Sequence, residues 1–226
     1  MVKFVTNDAW LESLSQHVHR SWRYPGRMAP QLTYGRHHVP PPLGFRNAAV
    51  LMLLSPTSAR TESKPPNEAW YLGEWELTLT RRAAHLPDHP GQICFPGGRR
   101  EPGESDDQCA IREWSEELGD LPSPLYVLGE LPGLYVYASH HWVVPVLAFS
   151  PLVPTTQPNP SEVDCALSLT LDQLSELQPS RRLIRRGELE FYTPLYNTPS
   201  GEIWGATAMM LELVAEIWQS FSGGSG

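Results

Sequence analysis

Glu113, Glu116 and Glu117 are three carboxylates whose spacing a helix would turn into one acidic face. At roughly 100° per residue, Glu113 and Glu117 lie about 40° apart, with Glu116 about 60° to their other side. Carboxylates so gathered repel one another unless a cation sits among them or protons are taken up. Oxygen donors of this kind suit Mg2+ or Mn2+ better than zinc. A divalent ion held there neutralises the non-bridging oxygens of a diphosphate and stabilises the leaving phosphate, and a further carboxylate orients and deprotonates the attacking water. Such a face is suited to metal-assisted phosphoryl chemistry. Two structural alternatives remain open: a solvated acidic face, and an ion pair between Arg112 and Glu116 at i, i+4.

The elements that would position this face are legible. Ser105 followed by Gln108 is a capping-box start and Gly119 a stop, which predicts a helix over 105–118. Residues 101–120 hold eight acids against the single base Arg112, so this segment carries seven of the eight units of net negative charge. The pair Gly97-Gly98 just upstream admits close backbone approach to a metal or phosphate.

Reading from Gly98, the segment GRREPGESDDQCAIREWSEELGD places Gly98, Glu104, Arg112, Glu113, Glu116, Glu117 and Gly119 in the pattern G-x5-E-x7-R-E-U-x-E-E-x-G-U. It resembles the Nudix box, with Asp120 where the family usually has an aliphatic residue. Upstream, TLTRRAAHLPDHPGQICFPGG over 78–98 is similar to the extra signature of the coenzyme A diphosphatase branch, with Thr80, Arg82, Ala83, Gly91, Phe95, Pro96, Gly97 and Gly98 matching. Thr78 replaces a leucine of that signature, and Pro87 stands where the branch has an arginine.

The resemblance spans about 43–215 and implies an α+β fold, the Nudix α/β/α sandwich with a mixed β-sheet. It implies Mg2+ or Mn2+ as cofactor. Glu113 and Glu117 are then the first-choice ligands, Glu116 a ligand or water-orienting group, and the Gly97 carbonyl an additional ligand. Glu113 and Glu116 are the preferred general bases, and Glu162 is the alternative on a later loop. Arg82, His89, Gln92 and Gly98 would meet the substrate, and Glu104 with Arg112 would hold the loop to the helix. The implied reaction converts coenzyme A or an acyl-CoA to 3',5'-ADP and a 4'-phosphopantetheine species. Another nucleoside diphosphate derivative, such as ADP-ribose or a dinucleotide, is the alternative substrate, and a non-catalytic nucleotide-binding module the alternative class.

The rest of the chain narrows the field. With 226 residues and 41% apolar content, a packed domain is expected. The longest apolar runs, AAVLMLL and WVVPVLAF, are far short of the roughly 20 residues that span a bilayer. The N-terminus lacks a continuous apolar stretch of the secretory type, so a cytoplasmic protein is expected. A net charge of −8 argues against nucleic acid or an anionic membrane as partner, and the resemblance implies a small CoA-like nucleotide instead. A homodimer is left open.

Three cysteines without C-x-x-C spacing give neither a disulfide framework nor a zinc site, and the pairs His17/His19, His37-His38 and His140-His141 lack partners for one. Neither a P-loop nor a G-x-S-x-G elbow occurs.

Three segments are expected: 1–42 as a helix over NDAWLESLSQHV plus a Pro-rich connection, 43–219 as the Nudix domain, and 220–226 as a flexible tail. Strands are expected at AAVLMLL, from Trp75, and over 125–137 and 142–149, with a last helix at about 203–219. In SRRLIRR, Arg181 with Arg185 and Arg182 with Arg186 are read at i, i+4 as a solvated basic face.

Overall fold

A computed structural model describes residues 8–31, 41–57 and 75–223. Its central strand is β1 (Arg46–Pro56), buried almost continuously from Ala48 onward. A strand covered on both faces needs apolar residues at odd and even positions alike, hence the unbroken AAVLMLL. β1 runs parallel to β7 (His141–Phe149) and antiparallel to two partners, β2 (Trp75–Arg82) near its end and β4 (Gly97–Arg99) near its start. The sheet order is β3-β2-β1-β7-β5, where β3 is Ile93–Cys94 and β5 Tyr126–Glu130. β8 (Val163–Thr170) pairs with β2, and β6 (Leu134–Val136) with β7.

Helices cover both faces of this mixed sheet. On one side Ala49, Leu51, Leu53, Val146 and Ala148 pack against Cys109, Ala110, Trp114 and Leu118 of α2 (Asp106–Leu118). On the other, Met52, Leu54, Leu147 and Phe149 meet Trp10 and Leu14 of α1 (Asp8–Val18) and Leu213 and Ile217 of α4 (Gly205–Gly223). The result is the expected α/β/α sandwich.

The N-terminal stretch joins the same core. The Tyr24 hydroxyl donates to the Pro132 carbonyl at 2.7 Å, and Glu212, 1% exposed, accepts from Arg27 Nε at 2.7 Å and from the Met28 amide at 3.2 Å.

Three expectations about elements need correction. The single strand over 125–137 is two, β5 and β6, because Pro132 has no N–H and Gly133 lies against the Trp142 ring, where a side chain has no room. SRRLIRR is not helical but forms β9 (Pro179–Arg186), paired antiparallel with β10 (Leu189–Thr198) through the two-residue turn Gly187-Glu188, with φ 58° at Gly187. Leu183 opposite Tyr192 and Ile184 opposite Phe191 supply the cross-strand apolar pairs. Together with β11 (Gly201–Trp204) these strands make a second, three-stranded sheet.

Finally, α4 continues to Gly223, past the expected boundary at 219, because Phe221 packs its ring against Trp10, Trp218 and His17. The His37-His38 pair, the Pro-rich connection over 32–40 and tail residues 224–226 lie outside the described residues.

Candidate active site

α2 begins and ends on the residues that its sequence signals name. The Ser105 amide donates to the Gln108 side chain at 3.1 Å, and Gly119 adopts φ 85° while its amide bonds to the Ser115 carbonyl. Arg112 ties the preceding loop to this helix. Its Nε reaches Glu104 at 2.6 Å, Nη1 reaches Glu113 at 2.9 Å and Glu116 at 3.1 Å, and Nη2 donates to the Arg99 carbonyl at 3.0 Å. Only a planar guanidinium presents donors in enough directions for that set. Glu104 is held below the ordinary carboxylate range by the Arg112 hydrogen bond and then by the Glu101 amide.

The three helix carboxylates have different surroundings. Glu116 is turned outward, its side chain 53% exposed on Arg112. Glu113 is largely covered, and burial raises its carboxyl, opposed by Arg112 and aided by Glu116 and Glu162. Glu117 is 2% exposed, and its Oε2 has no hydrogen-bond donor. Burial pushes Glu117 up to about 8; a hydrogen bond from the Gly97 amide opposes that, Glu162 and Glu113 add to it, and Arg82 draws it back.

Among the described residues no three His, Cys, Asp or Glu side chains converge closely enough to ligate one ion together. The set that is electrostatically coupled is Glu113, Glu117 and Glu162, with Glu116 acting on Glu113.

Glu162 arrives through the backbone. The segment before it caps the C-terminal end of α2: the Gln157 amide donates to Leu118 at 2.7 Å, the Asn159 amide to Glu117 at 2.8 Å, and Asn159 Nδ2 to Glu116 at 3.3 Å. The Ala83 amide then donates to the Glu162 carbonyl at 2.9 Å, fixing it beside the end of β2.

Arg82, at the C-terminal end of β2, opens a loop closed by hydrogen bonds from its own amide to Gln92 and from Gly91 back to its carbonyl. His89 sits in that loop at φ 56° with Nδ1 3.0 Å from the Gln92 side chain, so these three candidates belong to one structure. Sequence reading missed Cys94 here. Its thiol lies 3.4 Å from the Thr80 hydroxyl, is pushed up to about 11 by burial, and responds to the charges of Glu117 and Arg82. Asn159 and Gln157 were missed too, since main-chain amides carry no side-chain signature.

The donor set fits a hard divalent cation. A buried carboxylate oxygen without a donor needs a proton or a cation, and Glu117 has one beside two further acidic groups. Gly97 and Gly98 close the space. A Cβ on Gly98 would fall 2.5 Å from the Glu113 carboxyl carbon, a side-chain group that can swing away.

A Cβ on Gly97, at φ 153°, would fall 2.6 Å from the Val50 Cα, which is backbone of the central strand. Gly97→Ala is therefore expected to cost about 3 kcal/mol or more, and Gly98→Ala much less. Chemical denaturation of both variants checks this, and equal midpoints for Gly97→Ala and the parent would refute it.

Residues 70–187 match the family model for the NUDIX domain. Nudix hydrolase 3 of Caenorhabditis elegans is 30% identical over 105 residues, which are 45% of this chain and 44% of that protein, so the match spans less than half of that relative. Mitochondrial coenzyme A diphosphatase NUDT8 of Homo sapiens is 32% identical over 177 residues, 73% of this chain and 75% of that protein. The crystal structure of a Nudix hydrolase from M. smegmatis, RenU, superposes with a TM-score of 0.50 at 18% identity, over 77% of this chain and 86% of that one, a likeness of fold. A family match over half the chain, which includes the helix that carries Glu113, Glu116 and Glu117, makes this protein a member of the Nudix hydrolase family.

Proposed function

We propose that the chain hydrolyses the diphosphate of coenzyme A or an acyl-CoA to 3',5'-ADP and 4'-phosphopantetheine or its acyl derivative. The observation that carries the hydrolytic reading is the donorless buried oxygen of Glu117, coupled to Glu113 and Glu162 and backed by Gly97. Support for the substrate comes from the loop over 82–92, which keeps Arg82 within electrostatic reach of Glu117, and from NUDT8, a named coenzyme A diphosphatase.

In this reading Glu117, Glu113 and the Gly97 carbonyl hold Mg2+ or Mn2+. The ion, when bound, neutralises charge on the diphosphate and stabilises the leaving phosphate. Arg82 supplies a further cation to the diphosphate, with His89 and Gln92 at the loop edge. Glu162 is the preferred proton acceptor, ahead of Glu113 and Glu116. Its charge acts on both Glu113 and Glu117 and it has no arginine partner among the described residues, whereas Glu113 and Glu116 are tied to Arg112. The water oxygen joins one phosphorus as its proton passes to the base, and the bridging oxygen leaves with the other phosphorus as a phosphate monoester. Glu104 and Arg112 position the loop.

A substrate panel with Mg2+ and Mn2+ tests the reading. Turnover of coenzyme A well above ADP-ribose and NADH is expected. The reverse order would assign another nucleoside diphosphate derivative, consistent with Pro87 in place of the branch's arginine, and no turnover at all would leave a nucleotide-binding module.

A further inference from the structure

Two arginines and a histidine outside the carboxylate site share one face at one end of the main sheet. Arg46 and His141 are directly paired across β1 and β7, and Arg99 is paired with Ala48, two residues along β1 from Arg46. Residues two apart on a strand, and residues directly opposite on neighbouring strands, project to the same side. Arg46, Arg99 and His141 therefore flank Ala48, which is itself buried in the core. Each lies at a strand terminus: Arg46 begins β1, His141 begins β7 and Arg99 ends β4.

Among the described residues no acid pairs with either arginine. Both are exposed. His141 is held below its usual range by burial first and then by Arg46, and Arg99 and His140 add to this. The leading charges acting on it are all basic. Next to it His140 is fixed at φ 57° with Nδ1 2.6 Å from the Tyr135 hydroxyl. In a chain of net charge −8, unpaired guanidinium groups so placed form a focused positive field suited to a dianion. β4 connects this face to the carboxylate site, because Arg99 directly follows Gly97-Gly98 and its carbonyl accepts from Arg112.

We propose that Arg46, Arg99 and His141 form a second anchoring point for the substrate, binding a phosphate monoester carried apart from the diphosphate. In coenzyme A that group is the phosphate on the 3' position of the adenosine, an identification that rests on the reading above. The subsite acts as a specificity filter: ADP-ribose and NADH have only the diphosphate to offer and gain nothing from it.

Calorimetric titration of the metal-free protein with adenosine 3',5'-bisphosphate, 5'-AMP and inorganic phosphate tests this. The parent is expected to bind the bisphosphate about tenfold or more tighter than 5'-AMP, the scale of one charge-assisted contact. Arg46→Gln and Arg99→Gln should each erase that advantage while leaving 5'-AMP binding unchanged, with His141→Gln as a third variant should either arginine variant fold poorly.

Equal affinities in the parent, or an advantage that survives all three variants, would overturn the subsite. So would inorganic phosphate binding as tightly as the bisphosphate and depending on Arg46, which would mark a free-anion site. The two readings fail separately. Arg46-dependent preference for the bisphosphate without coenzyme A turnover leaves the subsite standing and removes the substrate. Equal kcat/KM on coenzyme A and its 3'-dephospho form in the parent does the opposite.

Discussion

Glu117→Gln is expected to lower turnover by roughly 10^3-fold or more, with the fold intact, because it removes the charge from the most deeply buried box carboxylate. Losing a group that acts on charge developed in the transition state is felt on that scale. The substitution is close to isosteric. Burial already raises the Glu117 carboxyl to about 8, so near neutral pH the metal-free protein carries it largely protonated, and a neutral amide takes its place at little cost. Far-UV circular dichroism should match the parent at pH 7, and the thermal midpoint should equal or exceed it because the variant folds without the proton uptake that Glu117 requires, while activity with Mg2+ is lost. A residue that only filled space would give the opposite pattern, retained turnover with a lowered midpoint. Turnover near the parent level in the folded variant would remove Glu117 from the metal site.

What the sequence made legible follows from where the information is stored. The limits of α2 are written in local chemistry, Ser105 with Gln108 at one end and Gly119 at the other, and both act through hydrogen bonds to near neighbours. AAVLMLL likewise identifies a strand buried on both faces. The approach of Glu162 to Glu117 is different in kind. It depends on amides of Gln157 and Asn159 meeting the end of α2, and any residue but proline provides an amide.

Helical spacing correctly places Glu113 and Glu117 on the covered side. It cannot tell that Glu116, one residue from Glu117, is drawn outward by Arg112. SRRLIRR was ambiguous for a simpler reason, since residues four apart share a face in a helix and in a strand alike. The partners Phe191 and Tyr192 across the hairpin decide between them.

The metal-free protein should lose stability as pH rises from about 6.5 to 8.5, and the loss should disappear in Glu117→Gln. The folded carboxyl titrates at about 8, above its unreacted value of 4.5, so the folded state holds a proton that the unfolded chain has released. Stability from that proton is fully present below 4.5 and is lost as pH climbs through 8. At about 1.4 kcal/mol per pH unit the gap sets an upper bound near 5 kcal/mol over the whole titration, of which at most about 2 kcal/mol falls between pH 6.5 and 8.5, and relaxation with water entry reduces it further.

Other groups define the window. His17 and His141 are held below 6.5, His17 by burial and then Arg20, and His141 by burial and then Arg46. Their contribution has the opposite sign, lost as pH falls below 6.5, so it is complete before the Glu117 slope is read. Cys94 and Cys109, both raised to about 11 by burial, begin to matter only above the window.

Mg2+ competes for the oxygens that the proton neutralises, so on the proposed assignment the cation should stabilise the protein more at pH 8.5 than at pH 6.5. Denaturation midpoints across this range, with and without Mg2+, measure both effects. A flat metal-free profile in the parent, or the same slope in Glu117→Gln, would place the titrating group elsewhere.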